Sequence, residues 1–236
     1  MSNIDPGDVL REARQLVNSH QYAEALEKYI WFHEHALDAD LSFGGVRLSY
    51  AISEWVDLGE LFPPAMRALK SVRDSKTETL MNGALDASLF HDVESINGAL
   101  GQIELTRDLF KSIAARDRGL ASKCFRVALE SLVYTKEFHL ARSFMLDPRS
   151  EINRFAIFFK LAPPDTGSVS REMDQQATVS IYVKNVSLIL QVLAGSGEEA
   201  EANQIRQYAL ECVPGDKLRD MVIQRLSASP PSIGIQ

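Results

Sequence analysis

Cysteine is nearly absent from this chain. Its only two, Cys124 and Cys212, lie far apart inside helical apolar patterns. They read as small buried hydrophobes, and no CxxC or Cys/His spacing is present to hold zinc. A disulfide staple is not expected where 45% of 236 residues are apolar, since that suffices for a packed core in one elongated domain or two small ones. Positive charge is also short. Lys and Arg number 25 against 32 Asp and Glu, giving a net charge of −7 and a pI near 5.3. Binding to nucleic acid or to an anionic membrane is therefore not expected as the chain's general role, because both need a basic field. No uninterrupted apolar run reaches the roughly 18 residues of a membrane span, and residues 1–8 lack the basic start and apolar run of a secretory signal. A cytoplasmic protein is expected.

Motifs that carry chemistry are missing as well: there is no Walker loop, GxGxxG, GxSxG or HExxH. The nearest is His33-Glu34-His35, whose histidines are two apart and so point to different faces of a helix. His33 falls on an apolar stripe and reads as a packed or hydrogen-bonded histidine. Gly195-Ser196-Gly197 precedes Glu198, Glu199 and Glu201, which would repel a phosphate, so it reads as a turn between helices. No catalytic, cofactor-binding or metal-ligating residue is assigned. An enzyme would need His20, His91 or His139 beside an acidic partner in a cleft.

What is present is helical periodicity. Asp5-Pro6-Gly7-Asp8 starts a helix, with Asp5 as cap and Pro6 in the first position. Val9, Ala13, Leu16 and Val17 then share one face, as apolar residues three and four apart do. After a turn at Asn18-Ser19-His20, a second stripe runs through Tyr22, Ala25, Leu26, Tyr29, Ile30 and Leu37. Neither stripe can be buried by its own helix. This hairpin, and "QYAEALEKY" above all, resembles the tetratricopeptide repeat, whose pattern asks for a bulky and a small residue in its first helix and for aromatic, Ala and bulky residues in its second. Phe32 stands where the pattern has its second Ala, and Ala36-Leu37 arrive one helical turn later, so the second helix is expected to be lengthened.

The register recurs. Setting Ala65 against Ala25 aligns Ile52, Ser53, Val56, Phe62 and Leu69, with one helix expected over 46–58 and the next from Pro63 through Val72. Phe125, Ala128, Leu129, Leu132, Phe138, Ala141 and Met145 repeat the spacing around a turn at Tyr134–Glu137. Val186, Ile189, Leu193, Ala202 and Ala209 repeat it again. Residues 77–100 fit no register and are expected as one or two short helices broken at Asn82-Gly83 and Asn97-Gly98. Asp147-Pro148 or Ser150 caps a helix carrying Phe155, Phe158 and Phe159, which read as core rather than as a docking patch. Leu161–Ser170 reads as a linker. Residues 171–194 alternate like a strand at "TVSIYVK", yet the run is longer than most strands and is expected to be helical.

The resemblance implies an all-α, tetratricopeptide-like helical-hairpin solenoid, a right-handed α-α superhelix of about ten to twelve helices. It would form one domain over 5–226, with any subdivision near 161–170 and a loose tail at 227–236. First helices of such hairpins line the concave side. That places Arg14 and Asn18, then Arg47, Tyr50 and Glu54, then Lys123, Arg126 and Glu130, and finally Lys184 and Gln191 toward a groove. The family's carboxylate clamp has Lys and Asn where this chain has Leu10 and Arg14, so that mode of peptide binding is not expected. Residues 1–40 carry a balance of −5 and residues 107–149 one of +4, either a solvated outer face or a polarised groove. The expected function is a non-enzymatic scaffold that binds a protein or peptide without a cofactor. The alternative is a small-ligand or signalling-peptide sensor that switches oligomeric state.

Overall fold

Asp5 starts the first helix by accepting a bond from Gly7 N at 2.8 Å, and Pro6 occupies the first position, where its missing N–H costs nothing. The computed structural model of the chain describes residues 4–161 and 169–228, with side chains at 4–160 and 175–227. Every regular element among them is helical. Unit 1, Met1–Ala128, holds α1 (Pro6–Asn18), α2 (Tyr22–Ala39), a 3-10 turn at Leu41–Phe43, α3 (Gly44–Arg47), α4 (Tyr50–Leu61), α5 (Pro63–Met81), α6 (Ala87–Ala99) and α7 (Ile103–Arg116). The long α8 (Arg118–Tyr134) runs on into unit 2, Leu129–Gln236, which adds α9 (Phe138–Phe144), α10 (Pro148–Leu161), α11 (Val169–Gly195), α12 (Glu199–Glu211) and α13 (Asp216–Ala228).

One turn leads directly from one helix into the next four times, and a fifth such closure, at Gly83 with Ala84 donating to Thr79 O at 3.2 Å, ends α5 ahead of a short stretch before α6. His20, Gly101, Lys136 and Gly197 each adopt a left-handed backbone, with φ of 61°, 66°, 61° and 83°. The next residue then donates its N–H back across the turn: Gln21 to Leu16 O, Gln102 to Asn97 O, Glu137 to Leu132 O and Glu198 to Leu193 O, at 2.8–2.9 Å. This six-to-one closure satisfies a carbonyl that the helix end would otherwise leave open. In three of the four the two helices then pack on each other: α1 on α2, α6 on α7 and α11 on α12. Gly195-Ser196-Gly197 is thus the turn its acidic flank suggests, with Arg142 holding Glu198 through two bonds of 2.8 Å.

In unit 1, α2 packs on both α1 and α4, α4 on α5 and α6, and α5 on α6 and α7. The small residues set against each other in the sequence, Ala25 and Ala65, are both fully buried, as is Ala13. The buried Trp55 belongs to the same core: its Nε1 donates to Ala65 O at 3.0 Å and its ring stacks on Tyr29. The lengthened α2 buries both Phe32 and Ala36. In unit 2, α11 is the central helix, touching α9, α10, α12 and α13. That position explains why its sequence is apolar nearly all round. Residues 175–195 are long and apolar enough to cross a bilayer by length and composition, with half of that stretch buried inside the protein. Tyr182 anchors the helix by donating to Ala209 O at 2.8 Å.

Several expectations need correction. Residues 46–58 do not form one helix: the chain breaks at Leu48-Ser49, between α3 and α4, and the break turns Arg47 inward while Tyr50 and Glu54 stay outward. α5 does not stop at Val72 but runs to Met81, since residues 73–81 contain no Gly or Pro and Leu80 is fully buried. Asn82-Gly83 is a break as expected. Asn97-Gly98 is not, and α6 passes through it to end at Ala99, because the left-handed residue that closes this hairpin is Gly101. Residues 171–194 are helical, as expected. Phe155 and Phe159 are half-buried, Phe159 meeting Tyr182 edge-on at 4.9 Å, but Phe158 is exposed. Thirteen α-helices among the described residues exceed the expected ten to twelve, α3 being a single extra turn. The division of the chain falls inside α8, where no shift of composition marks it. Most of the linker-like Leu161–Ser170 lies outside the described residues.

Two glycines test this packing in opposite directions. A Cβ on Gly195 would lie 2.2 Å from the Phe138 ring, so Gly195→Ala is expected to destabilise by about 1–3 kcal/mol through overpacking. A Cβ on the helical Gly98 meets nothing within 4 Å, and Gly98→Ala is expected to stabilise by about 0.4–1 kcal/mol by restricting the unfolded chain. Urea unfolding of both variants measures the two signs.

Candidate functional site

The outward faces of α1 and α4 meet through one ion pair. Arg14 reaches from α1 to Glu54 on α4, with Nε to Oε1 at 2.9 Å and Nη2 to Oε1 at 2.8 Å. The Tyr29 hydroxyl donates to the same carboxylate at 3.3 Å. Asn18 lies one turn beyond Arg14, and Tyr50 one turn before Glu54, so four side chains form one strip across two helices. Tyr50 is 70% exposed. An exposed pair of this kind adds at most about 1 kcal/mol. Its effect is positional: it holds the two helix faces in register and leaves the strip without net charge.

Arg47, expected on the same surface, is only 6% exposed. It points inward and forms a two-pronged pair with Asp92 of α6, in which Nη2 meets Oδ1 and Nη1 meets Oδ2 at 3.3 Å. It also donates to His33 O at 3.1 Å. Lys76 of α5 completes the cluster, 2.7 Å from Asp92 Oδ2. Burial alone would raise Asp92, but the bonds from Arg47 and Lys76 outweigh it and hold the carboxyl below the usual range. His33 lies 3.8 Å from Asp92, yet this is not an ion pair. Burial, then the charge of Arg47, push the imidazole down to about 4, so it stays neutral at pH 7. His33 is therefore the packed, hydrogen-bonded histidine its stripe suggests. Its Nδ1 and Arg47 Nε have no hydrogen-bond partner among the described residues.

The remaining expected groove residues divide. Glu130 on α8 pairs with Lys184 on α11 at 2.7 Å, and Gln191 is half-buried with Nε2 donating to Ser187 O. Lys123 and Arg126 are exposed on α8. On the opposite side of α1 from Arg14, a cleft of about 540 Å³ opens against α2, lined by Asp8, Glu12, Glu27, Lys28 and Trp31, with Lys28 bridging to Glu12 at 3.0 Å. His20, one candidate for an acid–base role, sits exposed on its turn and meets the Tyr22 hydroxyl rather than a carboxylate. Sequence reasoning missed Asp92 and Lys76. The available signal was an acid inside the apolar stripe Phe90, Val93, Ile96, a position where a carboxylate needs a buried partner. Comparison of the chain with models of protein families, with curated proteins and with solved structures finds no significant match.

The cluster and the strip differ in what they contribute, and substitution separates them. Asp92→Ala leaves Arg47 uncompensated in the core and is expected to cost about 3–5 kcal/mol, whereas Arg14→Ala costs about 1 kcal/mol or less. His33 adds a pH signature. Because its folded pKa lies below the unfolded value of 6.5, the unfolded chain binds more protons between the two, and stability falls as pH drops from about 6.5 toward 4. The loss is on the order of 3 kcal/mol. In His33→Gln that segment of the pH–stability curve is expected to flatten, as measured by denaturant midpoints at pH 7, 6, 5 and 4.5.

Proposed function

We propose that this chain is a non-enzymatic scaffold, built of tetratricopeptide-like hairpins, that binds a protein or peptide on the outward strip of α1 and α4. The recurrent left-handed turn supports the architecture. So do the buried alanines that follow it at the same distance, Ala25, Ala141 and Ala202, and the packing of unit 1 helices on the next and next-but-one. The observation that carries the function is the Arg14–Glu54 pair, which joins Asn18, Arg14, Glu54 and Tyr50 into one surface. An exposed tyrosine and an exposed amide, one on each side of a matched ion pair, suit a peptide held by stacking and hydrogen bonds rather than by net charge. The acidic balance of the whole chain favours such a ligand over nucleic acid, in keeping with a cytoplasmic role.

The test is capture from native extract by wild type and by Asn18→Ala/Tyr50→Ala, with Arg47 left intact because it is buried. A partner identified by mass spectrometry is expected to bind the double variant at least about tenfold more weakly. Equal capture by both chains places the binding surface elsewhere, and a wild type that captures nothing removes the proposal.

A further inference from the structure

Asp8 and Glu12 of α1 are four residues apart and so share a face, as do Glu27 and Trp31 of α2. Both pairs line the cleft of about 540 Å³ between the two helices, with Asp5 at the start of α1 and Lys28 beside Glu27. Three of the four carboxylates are already engaged. Asp5 caps α1 through Gly7 N, Asp8 pairs with Arg11, and Glu12 holds Lys28 at 3.0 Å. Glu27 is exposed and makes no hydrogen bond or ion pair among the described residues. With Arg11 and Lys28 counted, four carboxylates against two cations leave the recess a net charge of −2.

The carboxylates do not act alone. One turn along α2 from Glu27 stands Trp31, half-buried and lining the cleft, and Val9, 7% exposed, lines it from α1. An indole attracts a cation over its ring more strongly than any other side chain, and the carboxylate beside it on the same helix face is the one without a partner. A group that uses both must be positive, flat enough to lie on a ring, and able to donate sideways to a carboxylate. A guanidinium meets all three conditions and gives up its water more readily than an ammonium does. A quaternary ammonium has no N–H for Glu27, and one aromatic wall does not cage it. We propose that this cleft binds a small alkylguanidinium, its cationic plane on Trp31, its N–H groups donating to Glu27 and its apolar stem against Val9. Lys28 does not compete, because its ammonium is turned to Glu12. The volume falls within the roughly 300–1,000 Å³ of small-ligand sites. The site is separate from the α1/α4 strip, since Asn18, Arg14, Glu54 and Tyr50 line none of it, and either can fail without the other.

n-Butylguanidinium is the probe, titrated into the full chain and followed by NMR at the indole N–H resonances. The two tryptophans give two such signals, and Trp55, buried and bonded to Ala65 O, serves as the internal reference. The Trp31 signal is expected to shift with a Kd on the order of millimolar while that of Trp55 stays in place. n-Butylurea, the same shape without the charge, is expected to bind at least about tenfold more weakly. Glu27→Gln is expected to weaken the cation at least about threefold and Glu27→Lys at least about tenfold. The position is exposed and both replacements are good helix formers, so both variants keep the fold. Glu24→Gln, exposed on the same helix but outside the cleft, is expected to change nothing. Acetyl-Gly-Gly-Arg-Gly-Gly-amide carries the same group on a peptide and is expected to bind no more tightly than the free cation. Butylurea binding as tightly as the cation, undiminished binding in Glu27→Lys, an equal loss in Glu24→Gln and Glu27→Gln, or no Trp31 response at tens of millimolar would each overturn the proposal. So would a peptide bound about tenfold more tightly than the cation, which would give the cleft to a peptide's arginine instead of a small molecule.

Discussion

The bond that returns across each hairpin turn governs how the helices of this chain pack. By tying the N–H after the left-handed residue to a carbonyl five positions earlier, it fixes both the direction of the second helix and its rotation about its own axis. That rotation decides which side chains become core. Where the second helix starts directly after the turn, the fourth residue after the closing donor lies inside: Ala25, Thr106 and Ala141 to 1% exposure or less and Ala202 to 9%; after Gly83, where α6 starts later, the corresponding Ser88 is exposed. A left-handed conformation costs an ordinary L residue about 1–2 kcal/mol. His20 and Lys136 accept that cost and Gly101 and Gly197 avoid it, so the turn is imposed by hairpin packing and not by glycine alone.

Against this apolar plan the Arg47–Asp92–Lys76 cluster stands out, and its energetics differ from those of the core around Trp55. Removing these charges from water takes back most of what their attraction returns, so the cluster adds little net stability. It is selective instead. Asp92 is satisfied only when α3, α5 and α6 are all in place, and a slip of one helix by a turn would leave a buried carboxylate facing apolar side chains. The break at Leu48-Ser49 is part of the same arrangement, because a continuous helix over 46–58 would put Arg47 on the face of Tyr50 and Glu54, away from Asp92.

Much of this was legible in the sequence wherever one apolar stripe meets one turn. The α1/α2 hairpin, its Asp5 cap, the lengthened α2 and the buried Ala65 can all be read from spacing, because local periodicity and burial coincide there. Legibility failed where a residue's role depends on a distant partner. Arg47 reads as a surface cation until Asp92, 45 positions away, supplies the reason to bury it. Asn97-Gly98 reads as a break because Asn and Gly usually punctuate helices, but Thr106 gives the asparagine a bond and Gly101 takes over the turn. The strand-like alternation of "TVSIYVK" is outweighed by length and by four helices packed around α11. The division within α8 left no mark because a continuous helix needs no change of composition.

Polar residues inside apolar stripes are where this chain departs from its own rules, and two of the departures share the same helices. α5 carries Lys76 of the charged cluster and Thr77 and Met81 of a small cleft between α5, α6 and α7; α6 carries Asp92 of the cluster and Val93 and Asn97 of the cleft. The 2.7 Å bond between Lys76 and Asp92 therefore fixes the spacing of two cleft walls from just outside the cleft. In that sense the buried charges fix how α5 and α6 pair, and the unpaired Asn97 carbonyl is a polar cost carried by the same packing.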